Sequence, residues 1–389
     1  MEQNFSFGIE EEYFLVDAET KAVSPAMREP FLEAAKKAVK HGNGGRENDG
    51  QENDGQQNCS QVTSEMLQAQ IEVATAPHTD MKAAREELRH LRQTLAEVGA
   101  EHGLTIVAAG THPTATWRDS RQTESERYDA VMEDLQMIGS RNMLCGMHVH
   151  VELPDPDARV GLMTRMLPFV PLFVALATSS PFWQSRPTGL MGYRLAAYDE
   201  EPRTGMPELF RSKKEFDSYV AALVKAGVMA DSSFIWWAMR PSLNNPTLEL
   251  RAPDSCTLVE DSIAVAALFR VLARRLYRDP ALNADLDSVA RAVAVENKWR
   301  AQRYGVHGTF VGPDGALTVA EIIDQVIEET EEDAAKLNCA AELERCRAIA
   351  GAGTSADAQL AVFHAHGRSE GCTAALQAVN HWLAAATLE

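Results

Sequence analysis

The chain has 389 residues, 45% of them hydrophobic, and a formal net charge of -19. The apolar fraction suffices for a large core, while an acidic excess of this size argues against nucleic acid or an anionic membrane as partner. It suits a soluble enzyme with small substrates, and an anionic substrate then needs local positive charge or a metal ion.

The N-terminal MEQNFSFGIEEE has neither a basic region nor a long apolar run, so no signal peptide is read there and a cytoplasmic protein is expected. The first strand is predicted around FGIEEEYFLVD (7–17), whose apolar flanks belong in a core but enclose three carboxylates, Glu10, Glu11 and Glu12. Residues 41–60 are rich in Gly, Asn, Asp and Gln and predict a loop insertion. A second strand is expected in MLQAQIEVATAP (66–77), ended by Pro77. Met81, Ala84, Leu88, Leu91, Leu95 and Val98 step by three or four, which predicts an amphipathic helix over 80–103, capped by Asp80 and closed by Gly103. Strands follow at 104–110, 143–154 and 245–253. The apolar stretch 160–181 contains Arg165, Pro168 and Pro171 and reads as a buried, kinked helix rather than a membrane span. Residues 262–278 form a helix, and 308–337 a hairpin with a Pro-Asp-Gly turn, then a helix opened by a Thr318/Glu321 capping box. The last 50 residues read as Ala-rich helices. The six cysteines, at 59, 145, 256, 339, 346 and 372, form no CxxC pair and read as free thiols of a reducing cytosol. Strands returning among helices without a βαβ rhythm predict an α+β fold: one mostly antiparallel sheet with helices on one side, in a single domain over 1–389. Nothing resembles a Walker loop, a G-x-S-x-G elbow or an H-E-x-x-H helix.

Alternation along a strand places residues two apart on one face. Glu10 and Glu12 then point one way and Glu11 the other. Glu72 lies opposite Ile71 and Val73, His148 and His150 lie opposite Met147, Val149 and Val151, and Glu249 and Arg251 lie opposite Leu248 and Leu250. Four segments thus have one apolar face and one acidic or imidazole face. As neighbours in one sheet they would make a floor of Glu10, Glu12, Glu72, His148 and Glu249. Two carboxylates ~4 Å apart repel by ~4 kcal/mol at an effective dielectric of 20, and divalent cations turn that repulsion into attraction. Oxygen ligands favour Mg²⁺ or Mn²⁺, and one imidazole tilts the choice slightly toward Mn²⁺.

Taken together, FGIEEEYFLVD (7–17), QAQIEVATAP (68–77), CGMHVHVELPD (145–155), RPSLNNPTLELRAPDSCT (240–257) and ENKWRAQRYGVHG (296–308) resemble the glutamate–cysteine ligase type 2 family, the carboxylate–amine ligases. The resemblance implies a glutamine synthetase-like curved sheet forming an open funnel, and ATP bound with divalent cations, usually Mg²⁺. It implies metal-ligand positions at Glu10, Glu12, Glu72, His148 and Glu249, with His150 a less secure neighbour, and a phosphate-neutralising Arg251. Arg194 and Arg203 fall in the segment resembling the substrate region, and Arg300 and Arg303 are candidates for offsetting nucleotide charge. The implied reaction joins a carboxylate to an amine through an acyl phosphate, with glutamate and cysteine the default pair and a homodimer the family's habit. A metal-dependent hydrolase, or a non-catalytic nucleotide- or metal-binding relative, are the competing readings.

Overall fold

A computed structural model describes residues 4–24, 29–42 and 60–389. The predicted 41–60 insertion lies outside these residues except at its ends. The main sheet has seven strands: β1 (Phe7–Asp17), β2 (Gln61–Ser64), β3 (Gln70–Ala74), β4 (Leu104–Val107), β5 (Met147–Glu152), β6 (Met239–Pro241) and β7 (Thr247–Leu250). Every pairing is antiparallel, in the order β2-β3-β1-β5-β7-β6, with β4 also on β1. The long β1 explains that branching. Phe7–Glu11 pairs with β5, Phe14–Asp17 pairs with β4, and Glu10–Phe14 pairs with β3 on the other edge.

Two edge strands were not evident from the sequence. β2 is four residues of mixed polarity, and β6 ends in Pro241, which lacks the N–H a central strand must donate. The predicted strands at 104–110, 143–154 and 245–253 are all present but shorter. The hairpin Thr309–Thr318 and the Thr318/Glu321 capping box form as expected.

The helix-facing side of β1 presents Phe7, Ile9, Tyr13 and Leu15 to the core, where Leu88, Leu91 and Leu95 of helix α1 (Met81–Glu101) join them. Helix α2 (Val259–Arg278) is buried on most of its circumference, as a helix at the centre of the packing must be. Glu11 also points into this side. It is fully buried and meets Arg92 of α1 through two bonds, Nη2–Oε1 at 2.8 Å and Nε–Oε2 at 2.9 Å. Arg92 spends its other donors on the carbonyls of Cys256, Thr257 and Thr387. The middle glutamate of the triplet is therefore a structural tie between strand, helix and C-terminus.

The opposite face is bare only over half of β1. Past Glu12, Phe14 and Val16 enter a second, smaller core with Val107 and with Leu376, Val379 and Leu383 of the C-terminal helix α3 (Cys372–Ala386). This core closes one end of the exposed floor. The apolar stretch is helical and broken at a 3₁₀ turn, Leu167–Phe169, which holds Pro168, with Pro171 in the first turn of the helix that follows. By length and composition Pro156–Leu176 is the one described segment apolar enough to cross a membrane, and 72% of its apolar window is buried inside the fold. Cys145, Cys256, Cys339, Cys346 and Cys372 are free thiols.

Candidate active site

The bare half of the sheet forms the floor of a cavity of about 390 Å³. Strand register explains which side chains meet there. Glu12 lies opposite Glu72, Glu10 opposite His148, His150 opposite Glu249, and Glu249 opposite Arg240. Each pair is a direct cross-strand neighbour, so the alternating pattern of four strands converges on one surface. Glu10, Glu12, Glu72, His148, Glu249 and Arg251 all line the cavity, and so does His150.

Three ligand-type groupings overlap on this floor: Glu10 with His150 and Glu249, Glu10 with Glu72 and His148, and Glu12 with Glu65 and Glu72. Within each, the candidate atoms lie within 4.8 Å of one another. Both imidazoles lean on Glu10: His148 Nδ1 is 3.1 Å from Oε2, and His150 Nε2 is 3.3 Å from Oε1. His150 Nδ1 is also 2.8 Å from the Thr247 hydroxyl. The Nε2 atoms of both histidines are buried without a well-formed hydrogen bond, that of His148 3.6 Å from a Glu12 oxygen and that of His150 against Glu10. A buried ring nitrogen that lacks a well-formed hydrogen bond and sits among carboxylate oxygens is placed to share a cation with them.

Charge divides the floor into two zones. Burial would raise the carboxyls of Glu10 and Glu249. For Glu10, His150 and His148 outweigh it, and for Glu249, Arg240 and Arg251 do, so both are held well below the carboxylate range. Arg240 grips Glu249 through Nε at 2.7 Å and Nη2 at 3.0 Å, and Arg251 pairs with the same carboxylate. In the other zone the carboxylates outweigh the positive charge that reaches them. Burial and then the negative charge of Glu12 push Glu65 up to about 8, and burial with Glu10, Glu65 and Glu12 pushes Glu72 well above its ordinary value. The donor set is hard oxygen with imidazole, and the acids that press on one another are those a divalent cation would bind. These residues fit Mg²⁺ or Mn²⁺.

Glu65 and Arg240 are part of this geometry and escaped the sequence reading. Glu65 precedes β3 in a non-strand turn, so no alternation marks it. Arg240 sits on the short β6, whose Pro241 hides the strand.

The arginines predicted from sequence separate. Arg194 is buried and lines the cavity, but its guanidinium donates to main-chain carbonyls, Pro253 at 3.1 Å and Ala252 at 3.4 Å among them, and so fixes the turn after β7. Arg203, Arg300 and Arg303, expected at substrate or nucleotide, are not among the residues that line this cavity. Arg203 donates to the Phe234 carbonyl at 2.9 Å and lies over Trp236. Arg300 is bound to Thr309, and Arg303 lies over Tyr304 at 4.9 Å. The reason is helical geometry: on Ser288–Tyr304 the inward face carries Asn297, Lys298, Ala301 and Gln302, while Arg300 and Arg303 fall beside it.

With the geometry in place, comparison with known proteins is informative. Residues 6–375 match the sequence profile of glutamate–cysteine ligase family 2. A protein of Bradyrhizobium sp. (strain ORS 278), named "Putative glutamate--cysteine ligase 2", is 54% identical over 384 residues, covering 99% of this chain and 88% of its own. A protein of the same name from Rhodospirillum rubrum is 42% identical, covering 98% and 96%. Among solved structures, the glutamate–cysteine ligase of Francisella tularensis in complex with AMP superposes with a TM-score of 0.69 at 13% identity, over 100% of this chain and 90% of that one. The bifunctional glutathione synthetase of Pasteurella multocida gives 0.71 at 13% identity, over 98% of this chain and 52% of that one. At such identities the structural likeness speaks for the fold alone.

Proposed function

That this chain belongs to glutamate–cysteine ligase family 2 is the premise from which we infer its reaction: ATP-dependent joining of a carboxylate to an amine through an acyl phosphate. We propose L-glutamate and L-cysteine as the pair, with γ-glutamylcysteine, ADP and phosphate as products. The observation that carries the reading is the convergence of Glu10, Glu12, Glu65, Glu72, His148 and Glu249 from neighbouring segments onto one cavity beside Arg240 and Arg251.

A carboxylate is a poor electrophile, so the enzyme must place it against the nucleotide's terminal phosphoryl group and neutralise charge along the transfer path. Glu10, Glu12, Glu65, Glu72, His148 and Glu249 would hold Mg²⁺ or Mn²⁺, which supply Lewis-acid neutralisation of phosphoryl and carboxylate oxygens. The chain's own residues prepare this. Burial and then Arg251 lower the His148 imidazole, which favours its neutral form, and with Nδ1 against Glu10 its Nε2 would be the atom offered to a cation. Arg240 keeps Glu249 ionised and oriented. Arg251, paired with Glu249 and facing the cavity, supplies a fixed positive charge to the transferred group.

The test is phosphate release from ATP with Mg²⁺, with each substrate alone and with both, and identification of the amide by mass. Release that depends on both substrates, and its loss in Glu10→Gln and Glu249→Gln, is expected. Full turnover in both variants would remove the proposed metal floor.

A further inference from the structure

Asp199, Glu200 and Glu201 are three consecutive acids at the end of the short helix Tyr193–Tyr198. Two of them are answered. Asp199 pairs with the buried Lys298, and Glu200 with Arg141 at 2.8 Å. Both of these side chains are a third or more exposed, 36% and 40%. Glu201 is the buried one, 7% exposed, and it lines the cavity wall with Arg194, Tyr198 and Arg251. Its carboxylate accepts no hydrogen bond and makes no ion pair with any described residue; its main chain is used, the N–H donating to the Tyr198 carbonyl at 3.0 Å and the carbonyl accepting from the Thr204 hydroxyl at 2.6 Å.

Three guanidiniums lie near enough to be felt, those of Arg251, Arg194 and Arg203, yet none of them is bonded to this carboxylate. Arg251 holds Glu249, Arg194 holds the carbonyls after β7, and Arg203 holds the Phe234 carbonyl. The loop is also pinned on both sides: the Arg203 carbonyl accepts from the Trp236 N–H at 2.9 Å, and Asp199 and Glu200 are tied to other elements. Glu201 is therefore left without a bonded donor among the described residues. A desolvated carboxylate aimed at a ligand cavity and short of donors is a receptor for a cationic donor. Burial is the main reason its carboxyl rises to about 7, and a bound cation would offset it.

We propose that Glu201 is the anionic end of a subsite that receives the ammonium group of an amino-acid substrate. The proposal rests on the ligase reading for the identity of that amino acid, and on geometry alone for the charge it carries.

The experiment compares ligands that differ only in that group, by calorimetric titration of the full chain with Mg²⁺ and a non-hydrolysable ATP analogue present. L-Glutamate is set against glutarate, and L-cysteine against 3-mercaptopropionate. The parent should favour the ammonium-bearing member of at least one pair by about 10- to 100-fold, and the pair affected identifies which substrate's ammonium is bound. In Glu201→Gln, which keeps the shape and removes the charge, that preference should fall to within about threefold, with nucleotide affinity and Tm unchanged. No preference in the parent for either pair, or a preference that survives in Glu201→Gln, overturns the proposal. Failure of the ligase reading looks different: the ammonium preference persists while glutamate and cysteine together elicit no phosphate from ATP.

Discussion

Glu11 and Arg92 provide the sharpest separation of folding from chemistry within the Glu10–Glu12 triplet. Glu11 is 0% exposed and Arg92 1%, and they are joined by two bonds of 2.8 and 2.9 Å. The Tyr13 and Ser262 hydroxyls donate to the same carboxylate. Glu11→Gln leaves the guanidinium buried without its counter-charge, a change that costs about 3–5 kcal/mol. Arg92→Met is worse. It strands the Glu11 carboxylate and also orphans the carbonyls of Cys256, Thr257 and Thr387, each worth roughly 1–3 kcal/mol when left unsatisfied. Against a typical stability of about 5–15 kcal/mol, either loss is a large share. Urea unfolding of both single variants and the double variant closes a cycle, in which the double should cost about 2–3 kcal/mol less than the sum of the singles. Glu72→Gln is the mirror case. It removes a carboxyl already pressed by Glu10, Glu65 and Glu12, so the metal-free protein should be no less stable while turnover is lost. A Glu11→Gln cost below about 1 kcal/mol, or strict additivity, would refute the reasoning.

Glu65→Gln should raise the Mg²⁺ concentration for half-maximal turnover by about tenfold or more, read from a metal titration of phosphate release. Arg251→Ala should lower kcat by about 10²- to 10³-fold with ATP-dependent chemistry as the readout, since a fixed charge at the transferred group is lost. His112 is fully buried against the Lys21 carbonyl, and burial lowers it from 6.5 to about 4. Its contribution is whole above pH 6.5 and drains as pH falls toward 4, amounting to roughly 3 kcal/mol. Urea unfolding at pH 7 and pH 5 should therefore show about 2 kcal/mol less pH dependence in His112→Gln than in the parent. Gly146→Ala would place a Cβ 2.1 Å from Arg194 Nη2, so the guanidinium must leave its carbonyls. A loss of about 1–3 kcal/mol by the same assay is expected.

Strand alternation is a local property, and it was enough to sort Glu10, Glu12, Glu72, His148 and Glu249 onto one face and to turn Glu11 away from them. The capping box at Thr318 and the stepping of apolar residues along α1 were legible for the same reason: the partners lie within one element. What alternation does not contain is what waits on the far side. Arg92 as the answer to Glu11 is a contact across 81 positions, and Arg240 reaches the floor only because β6 pairs with β7 at the sheet's edge. Glu65 enters from a turn with no periodicity to read. The arginines are a different case. Arg203, Arg300 and Arg303 sit in segments that resemble the family's, yet none of them lines the cavity, and main-chain and aromatic partners hold them instead. The sequence by itself determined which residues share a strand face, because that depends on a period of two. Only the tertiary structure decided which charges are answered within the protein, as Glu11 is, and which, like Glu201, are left for a ligand, because that depends on neighbours far away in the chain.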